Sequence, residues 1–193
     1  MVAYNDLKSR DPKALQKAED ILAPLTEFFL ESDYPFVEAA EWPDDIKGQN
    51  WKSFNILHFL NYPVIDPDFK GDIKTSVDNA TFAYNECTKV LSLKSSDYTT
   101  MGKSMCMRFM IHIIGDVHQP LHTAAYFSQQ FPDGDLGGNK FMINYPAKKY
   151  ANLHAYWDDT AHNYSSSIKA VSLCLIFYHK ICTICSNLFL YSH

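Results

Sequence analysis

The 193-residue chain lacks several features that would place it quickly. It has no excess of basic residues: 17 Lys and Arg stand against 22 Asp and Glu, for a net charge of −5. A protein that held nucleic acid through a basic surface would carry the opposite balance. If this one handles phosphates, bound metal must supply the positive charge. It has no apolar run fit to cross a bilayer. The run AVSLCLIFY is nine residues long, and His179-Lys180 break the apolar stretch immediately after it, whereas a span needs about 20 apolar residues. Its five cysteines, Cys87, Cys106, Cys174, Cys182 and Cys185, are an odd number and give no clean disulfide framework. Cys182 and Cys185 form a CxxC that stands away from any βαβ pattern and reads as chance. The opening residues MVAYNDLK do not read as a secretory leader. No acidic residue occurs after Asp159, and no Trp or His precedes Trp42.

The informative residues concentrate between Arg108 and Asp158, which hold His112, Asp116, His122, His154 and Asp158. His112 and Asp116 are four apart, as are His154 and Asp158. On a helix that spacing puts both side chains on one face, one turn apart. An imidazole and a carboxylate so placed grip a divalent metal at two points. A lone His on an apolar helix face is ordinarily a core residue with a hydrogen-bonded ring. Here the pattern occurs twice, and the first pair lies among Phe109, Met110, Ile111, Ile113 and Ile114. A buried Asp without a partner costs several kcal/mol or more, and a metal removes that cost. Two grips, with His122 just past the first helix, imply more than one metal.

With 47% hydrophobic and 20% charged residues over this length, one globular domain is expected. Asp11-Pro12 reads as a helix start, and Leu15, Ala18, Leu22, Leu25 and Phe29 recur at helical spacing to about Leu30. A second helix is expected from Pro35 to Trp42, bent or ended by Pro43. Residues 55–62, NILHFLNY, fit either a buried strand or a helix. Pro63 to Gly71 reads as loop, Ile73 to Leu91 as helix, and Thr99 to Val117 as a helix capped by Ser96 or Asp97. Phe127 to Asn139 reads as loop. Phe141, Ile143 and Tyr145 alternate as a short strand, and a last helix covers about Ala151 to Asn163. Asn79 and Asn163 open glycosylation sequons, triplets that are frequent by chance.

WPDDIKG, LHFLNY, FMIHIIGDVHQPLH, GGNK and NLHAYWD occur in this order. In that order they resemble the zinc-dependent class I nucleases, the S1/P1 type of single-strand nucleases. The resemblance covers about residues 2–160. It implies a mainly α fold: a single helical domain of the phospholipase C and class I nuclease type, with a short β-hairpin near the active-site cleft. It implies three zinc ions, about +6 of charge against a chain of −5. By resemblance, Asp44, His58 and His112 hold one zinc, Asp116 bridges it to a close neighbour, and His122, His154 and Asp158 hold a third. Asp44 and Lys47 take the catalytic positions. Phe59, Asn61, Gly137, Gly138 and Asn139 fall where the family stacks and hydrogen-bonds a nucleobase. The implied substrates are single-stranded DNA and RNA and 3′-mononucleotides, cut to 5′-phosphates by a zinc-activated water. No protein partner is evident.

The resemblance has two departures. The family's mature chain begins with Trp and has a His a few residues on, which complete the close zinc pair; MVAYNDLK resembles the segment just after them. The family's signal peptide would precede that point, and the family's location is secreted or in the lumen of endomembranes or lysosomes. Asn61 stands where the family often has Asp. The domain is therefore expected over residues 1–166, incomplete at both ends. Residues 167–193 are expected to be an atypical tail, of the kind a retained intron or shifted reading frame produces. Two other readings stay open: a zinc-dependent phospholipase C, and a catalytically impaired fragment lacking one zinc's ligands.

Overall fold

The computed structural model describes residues 2–29, 34–94, 96–144 and 150–159. Tyr145, Asn163, Cys174, Cys182, Cys185 and the expected tail from residue 167 lie outside them. The described residues are mainly helical, as expected, and form two compact units. One unit takes the described residues up to Leu60 and from Ser76 to Val117; the other takes those from Asn61 to Thr75 and from His118 to Asp159.

In the first unit, α1 (Val2–Arg10) has no apolar period and was not expected from one. An Asp6–Arg10 ion pair at 2.8 Å and basic residues in the last turn support it. Helix α2 (Pro12–Thr26) begins where Asp11-Pro12 predicts: the Asp11 carboxylate accepts from the Ala14 N–H at 3.0 Å. Its Leu15, Leu22 and Leu25 are buried. The expected Pro35–Trp42 helix is two helices, α3 (Pro35–Glu38) and α4 (Trp42–Gly48). Pro43 does not end a helix; it sits in the first turn of α4, where its missing N–H costs nothing. A 3₁₀ helix spans Lys52–His58. Helix α5 (Ala80–Ser92) starts seven residues later than predicted, because Asn79 caps it through the Thr81 and Phe82 N–H groups. Helix α6 (Asp97–Asp116) opens with Ser96 and Thr99 in a capping box.

The core of this unit is an apolar cluster of Trp42, Ile46, Ala80, Ala83, Cys87, Phe109 and Ile113. Trp42 packs edge-on against Phe109 at 5.5 Å between ring centres. Losing either ring would cost about 3–5 kcal/mol. One turn before His112, the fully buried Arg108 donates to Ser104 Oγ at 2.6 Å and to the Leu22 carbonyl at 3.4 Å, tying α6 to α2. Phe109 and Ile113 point α6 into the core, and the neighbouring stripe of the same helix carries His112 and Asp116. Packing the apolar stripe thus fixes the polar one. Cys87 and Cys106 are free thiols. The hydrogen bond between them and burial push Cys87 up, while that bond lowers Cys106.

In the second unit, β1 (Tyr62–Ile65) pairs with β2 (Ala124–Phe127), Tyr62 opposite Ala124 and Ile65 opposite Phe127. The pair is parallel, which corrects the expected β-hairpin: parallel neighbours need a long connection between them. Pro63, expected in a loop, lies within β1. Among the described residues, the alternating stretch from Phe141 pairs with the chain before the last helix through an antiparallel bridge between Met142 and Asn152, flanked by hydrogen bonds from the Ile143 N–H to the Ala151 carbonyl and from the Leu153 N–H to the Phe141 carbonyl. The described residues of this unit also form two short helices. In α7 (Pro120–Thr123) Gln119 is the cap, and in α8 (Leu153–Asp158) the Asn152 side chain accepts from the Ala155 N–H at 2.8 Å.

Candidate metal centres

In the first unit, α4, the 3₁₀ helix and α6 bring one ligand atom each from Asp44, His58 and His112 within 4.8 Å of one another. His58 Nδ1 lies 3.5 Å from Asp44 Oδ1 and 2.7 Å from His112 Nε2, and His112 Nε2 lies 3.8 Å from Asp44 Oδ1. Asp116 joins them: its Oδ2 is 2.9 Å from His112 Nε2 and 3.2 Å from His58 Nδ1. Both imidazoles are buried, whereas Asp44 is 59% exposed and opens the group to solvent. Lys47, one turn along α4, holds the same Asp44 oxygen at 2.5 Å.

Four donor atoms crowded this closely need a cation, a proton or a metal, at their centre. The ring tautomer points the same way. The Ala40 carbonyl only accepts, so His112 Nδ1 carries a hydrogen and donates to it at 2.6 Å, and Nε2 turns its lone pair to the cluster. Burial lowers His112, but the Asp116 hydrogen bond and charge, the Ala40 carbonyl and Asp44 outweigh it, and the net direction is up. Burial also lowers His58, and there it wins over the Asp116 hydrogen bond, helped by Lys47 and His112. Of the two imidazoles, His112 therefore takes a proton more readily than His58, and a metal facing Nε2 would compete with that proton.

In the second unit, His122 of α7 and His154 and Asp158 of α8 form a second group within the same 4.8 Å limit. His122 Nε2 is 3.5 Å from Asp158 Oδ1, and His154 Nε2 is 3.5 Å from Asp158 Oδ2. The tautomer device recurs: His154 Nδ1 donates to the Gly137 carbonyl at 2.8 Å and leaves Nε2 free to bind. Burial of Asp158 acts to raise its carboxyl, but hydrogen bonds from His122 and Gln119 and the neighbouring imidazole charges hold it low. It is ionised and ready to ligate.

Both sets fit zinc. Its bonds to His nitrogen and carboxylate oxygen are about 2.0–2.2 Å, so tetrahedral neighbours stand about 3.3 Å apart. Most of the separations above lie near that value, and the His58–His112 pair would open slightly. Among the described residues these are the groups of this kind. Lys47 and the seven expected ligands are thus found in two clusters, Asp44, His58, His112 and Asp116 in one and His122, His154 and Asp158 in the other.

The residues expected at a base pocket are described in their own units. Phe59 ends the 3₁₀ helix in extended conformation, and its carbonyl accepts from the Ala80 N–H at 3.0 Å. Asn61 is in the left-handed region at φ 51°. Gly137 and Gly138 are also left-handed, at φ 58° and 81°, and a Cβ on Gly137 would collide with the Leu121 carbonyl. Glycine is thus required at 137 on two counts. Asn139 is exposed, and its Nδ2 donates to the Leu136 carbonyl at 3.0 Å.

The residue pattern and this geometry meet in the comparison with known proteins: the S1/P1 Nuclease family matches residues 1–185. The chain belongs to the S1/P1 nuclease family. It is similar to Endonuclease 3 of Arabidopsis thaliana, 32% identical over 127 residues, which is 61% of this chain and 39% of that protein. It is similar to Nuclease P1 of Penicillium citrinum, 27% identical over 165 residues, 81% of this chain and 54% of that one. Nuclease S1 of Aspergillus oryzae is 36% identical over 67 residues, 32% of this chain and 20% of that protein. The chain spans about two fifths to half the length of the plant endonucleases and Nuclease P1. For an S1/P1 nuclease, the groups that sequence motifs do not announce are the carbonyls of Ala40 and Gly137, which orient two imidazoles. Backbone oxygens carry no residue signature. Gln119 could have been noticed as the cap before Pro120 in HQPLH.

Proposed function

We propose that this chain carries the metal-binding part of a nuclease that hydrolyses single-stranded DNA and RNA to 5′-phosphates, with 3′-nucleotidase activity. The observation that supports it is the pair of His–carboxylate clusters, each with an imidazole turned inward by a backbone carbonyl. Asp44, His58, His112 and Asp116 hold zinc in one cluster, and His122, His154 and Asp158 hold it in the other. Zinc bound there supplies Lewis acidity toward a phosphoryl oxygen and lowers the pKa of water.

The chain's own residues do the rest. Lys47 places a cation beside Asp44, where it neutralises a phosphate oxygen as charge develops. Asp44, more than half exposed, receives solvent at the mouth of the cluster and orients it by accepting its hydrogen. Asp116, 14% exposed, keeps both imidazoles aimed at one point. Phe59 offers a ring for a base to stack on. Within the second unit, Asn61, Gly137, Gly138 and Asn139 offer polar groups for hydrogen bonds to a base, with Asn139 keeping its amide oxygen as acceptor. Single strands are preferred because a base must leave its stack to be read. Among the described residues no helix is long and apolar enough to cross a membrane, and a secreted or lumenal location accompanies this reading.

The test is hydrolysis by the full chain before and after chelation and zinc return. The expected result is zinc-restored cleavage of single-stranded oligonucleotide over duplex, with 5′-phosphate ends. Phosphocholine release from lecithin with no oligonucleotide cleavage would instead identify a phospholipase C.

A further inference from the structure

The second candidate centre is anchored by a residue outside its ligand set. Gln119 lies between the first cluster's helix and His122 in sequence, and its amide is used at both ends. The Leu121 N–H donates to Gln119 Oε1 at 2.5 Å, which caps the short helix bearing His122. Because that donor fixes which end of the amide is oxygen, Nε2 must face the other way. It donates to Asp158 Oδ1 at 2.8 Å. That oxygen is the one facing His122 Nε2, while Oδ2 faces His154 Nε2. One amide therefore sets the rotation of the Asp158 carboxylate and the position of the helix carrying a second ligand.

We propose that Gln119 is a positioning residue for this centre, holding the Asp158 carboxylate turned toward His122 and His154 before a metal arrives. The inference rests on the reading of His122, His154 and Asp158 as metal ligands. Its physical content is preorganisation. Asp158 is about half exposed, so without a fixed donor its carboxylate would rotate among solvated positions. Ordering it would then count against metal binding. Hydrogen bonds of this kind to metal-ligating side chains are typically worth about 10–100-fold in metal affinity.

Asparagine separates the two uses of the amide. It is a strong helix cap, but it is one methylene, about 1.5 Å, shorter and does not reach Asp158. Metal-stripped full chain is titrated with Zn²⁺ against a chromophoric chelator, and the binding class lost in His154→Ala marks the second centre. Gln119→Asn is expected to weaken that class about 10–100-fold, leaving the other class and the apo melting temperature unchanged. Gln119→Leu, which removes both bonds, is expected to lower the melting temperature as well. Wild-type affinity in Gln119→Asn overturns the positioning role and leaves the metal reading standing. Equal weakening of both classes together with a lower apo melting temperature also overturns it, since Gln119 would then be only a cap. A wild-type chain that binds no Zn²⁺ overturns the metal reading and this inference together.

Discussion

Lys47→Ala separates a chemical role from a structural one. Lys47 and Asp44 make an ion pair at 2.5 Å, but their side chains are 33% and 59% exposed. A pair in that setting is worth at most about 1 kcal/mol. In a chain of this size that is a melting shift of about 2–4 °C. If the ammonium neutralises charge on a phosphoryl group, its loss should instead cost about 10²–10³ in rate, the usual result of removing one such donor. Lys47→Arg keeps the charge and should recover part of it. There is a second readout at His58. Burial is the main cause of its low pKa, and the Lys47 charge is a smaller one. Removing that charge should move His58 upward without restoring its ordinary value, which NMR titration of the metal-free chain would report. The assays are thermal unfolding and single-stranded oligonucleotide hydrolysis on the same preparations. An unchanged rate with an unchanged melt would make Lys47 a solvated surface residue. A loss of several kcal/mol in stability would contradict the surface-pair argument.

Three further outcomes are expected from the same structure. Gly137→Ala puts a Cβ against the Leu121 carbonyl at φ 58°, a strain of about 1–2 kcal/mol before the collision is counted. The His154 class of Zn²⁺ sites should weaken about 10-fold or more while the His112 class holds, and unchanged binding in a chelator competition would contradict it. Ser104→Ala removes a fully buried hydroxyl that donates to Leu22 and accepts from Arg108. It should cost about 2–4 kcal/mol in denaturant unfolding, and a change below about 0.5 kcal/mol would refute the α2–α6 tie. Tyr126 donates to Asp66 at 2.5 Å and, with the Asp68 N–H, holds that carboxyl below its ordinary range. Its contribution is present above the unfolded value near 3.9 and is lost as pH falls through the folded one. In Tyr126→Phe the Asp66 carboxyl resonance should titrate at higher pH, and an identical titration would remove the pair from the account.

Legibility in the sequence depended on how local the determining physics is. The starts of α2 and α6 were readable because Asp11, Pro12, Ser96 and Thr99 act within one turn. The His112–Asp116 and His154–Asp158 pairs were readable because helical spacing alone makes them neighbours. Asp44, His58 and Lys47 came from motif resemblance, and the fold then brought Asp44 and His58 to His112. The parallel pairing of β1 with β2 was not legible, since partners some sixty residues apart leave no local trace. Pro43 misled because the same residue that breaks a helix interior also favours a helix start. The carbonyls of Ala40 and Gly137 were invisible for a different reason: a backbone oxygen has no side-chain signature, whichever residue bears it.

The central claim is that two separate donor sets in this chain each hold a divalent metal. The direct measurement is elemental analysis of the full chain after equilibration with buffered Zn²⁺, beside His112→Ala and His154→Ala. The account predicts zinc at both centres in the wild type, with each variant losing the zinc of its own centre and keeping that of the other. A zinc-free wild type, or variants whose zinc content matches it, would contradict the account.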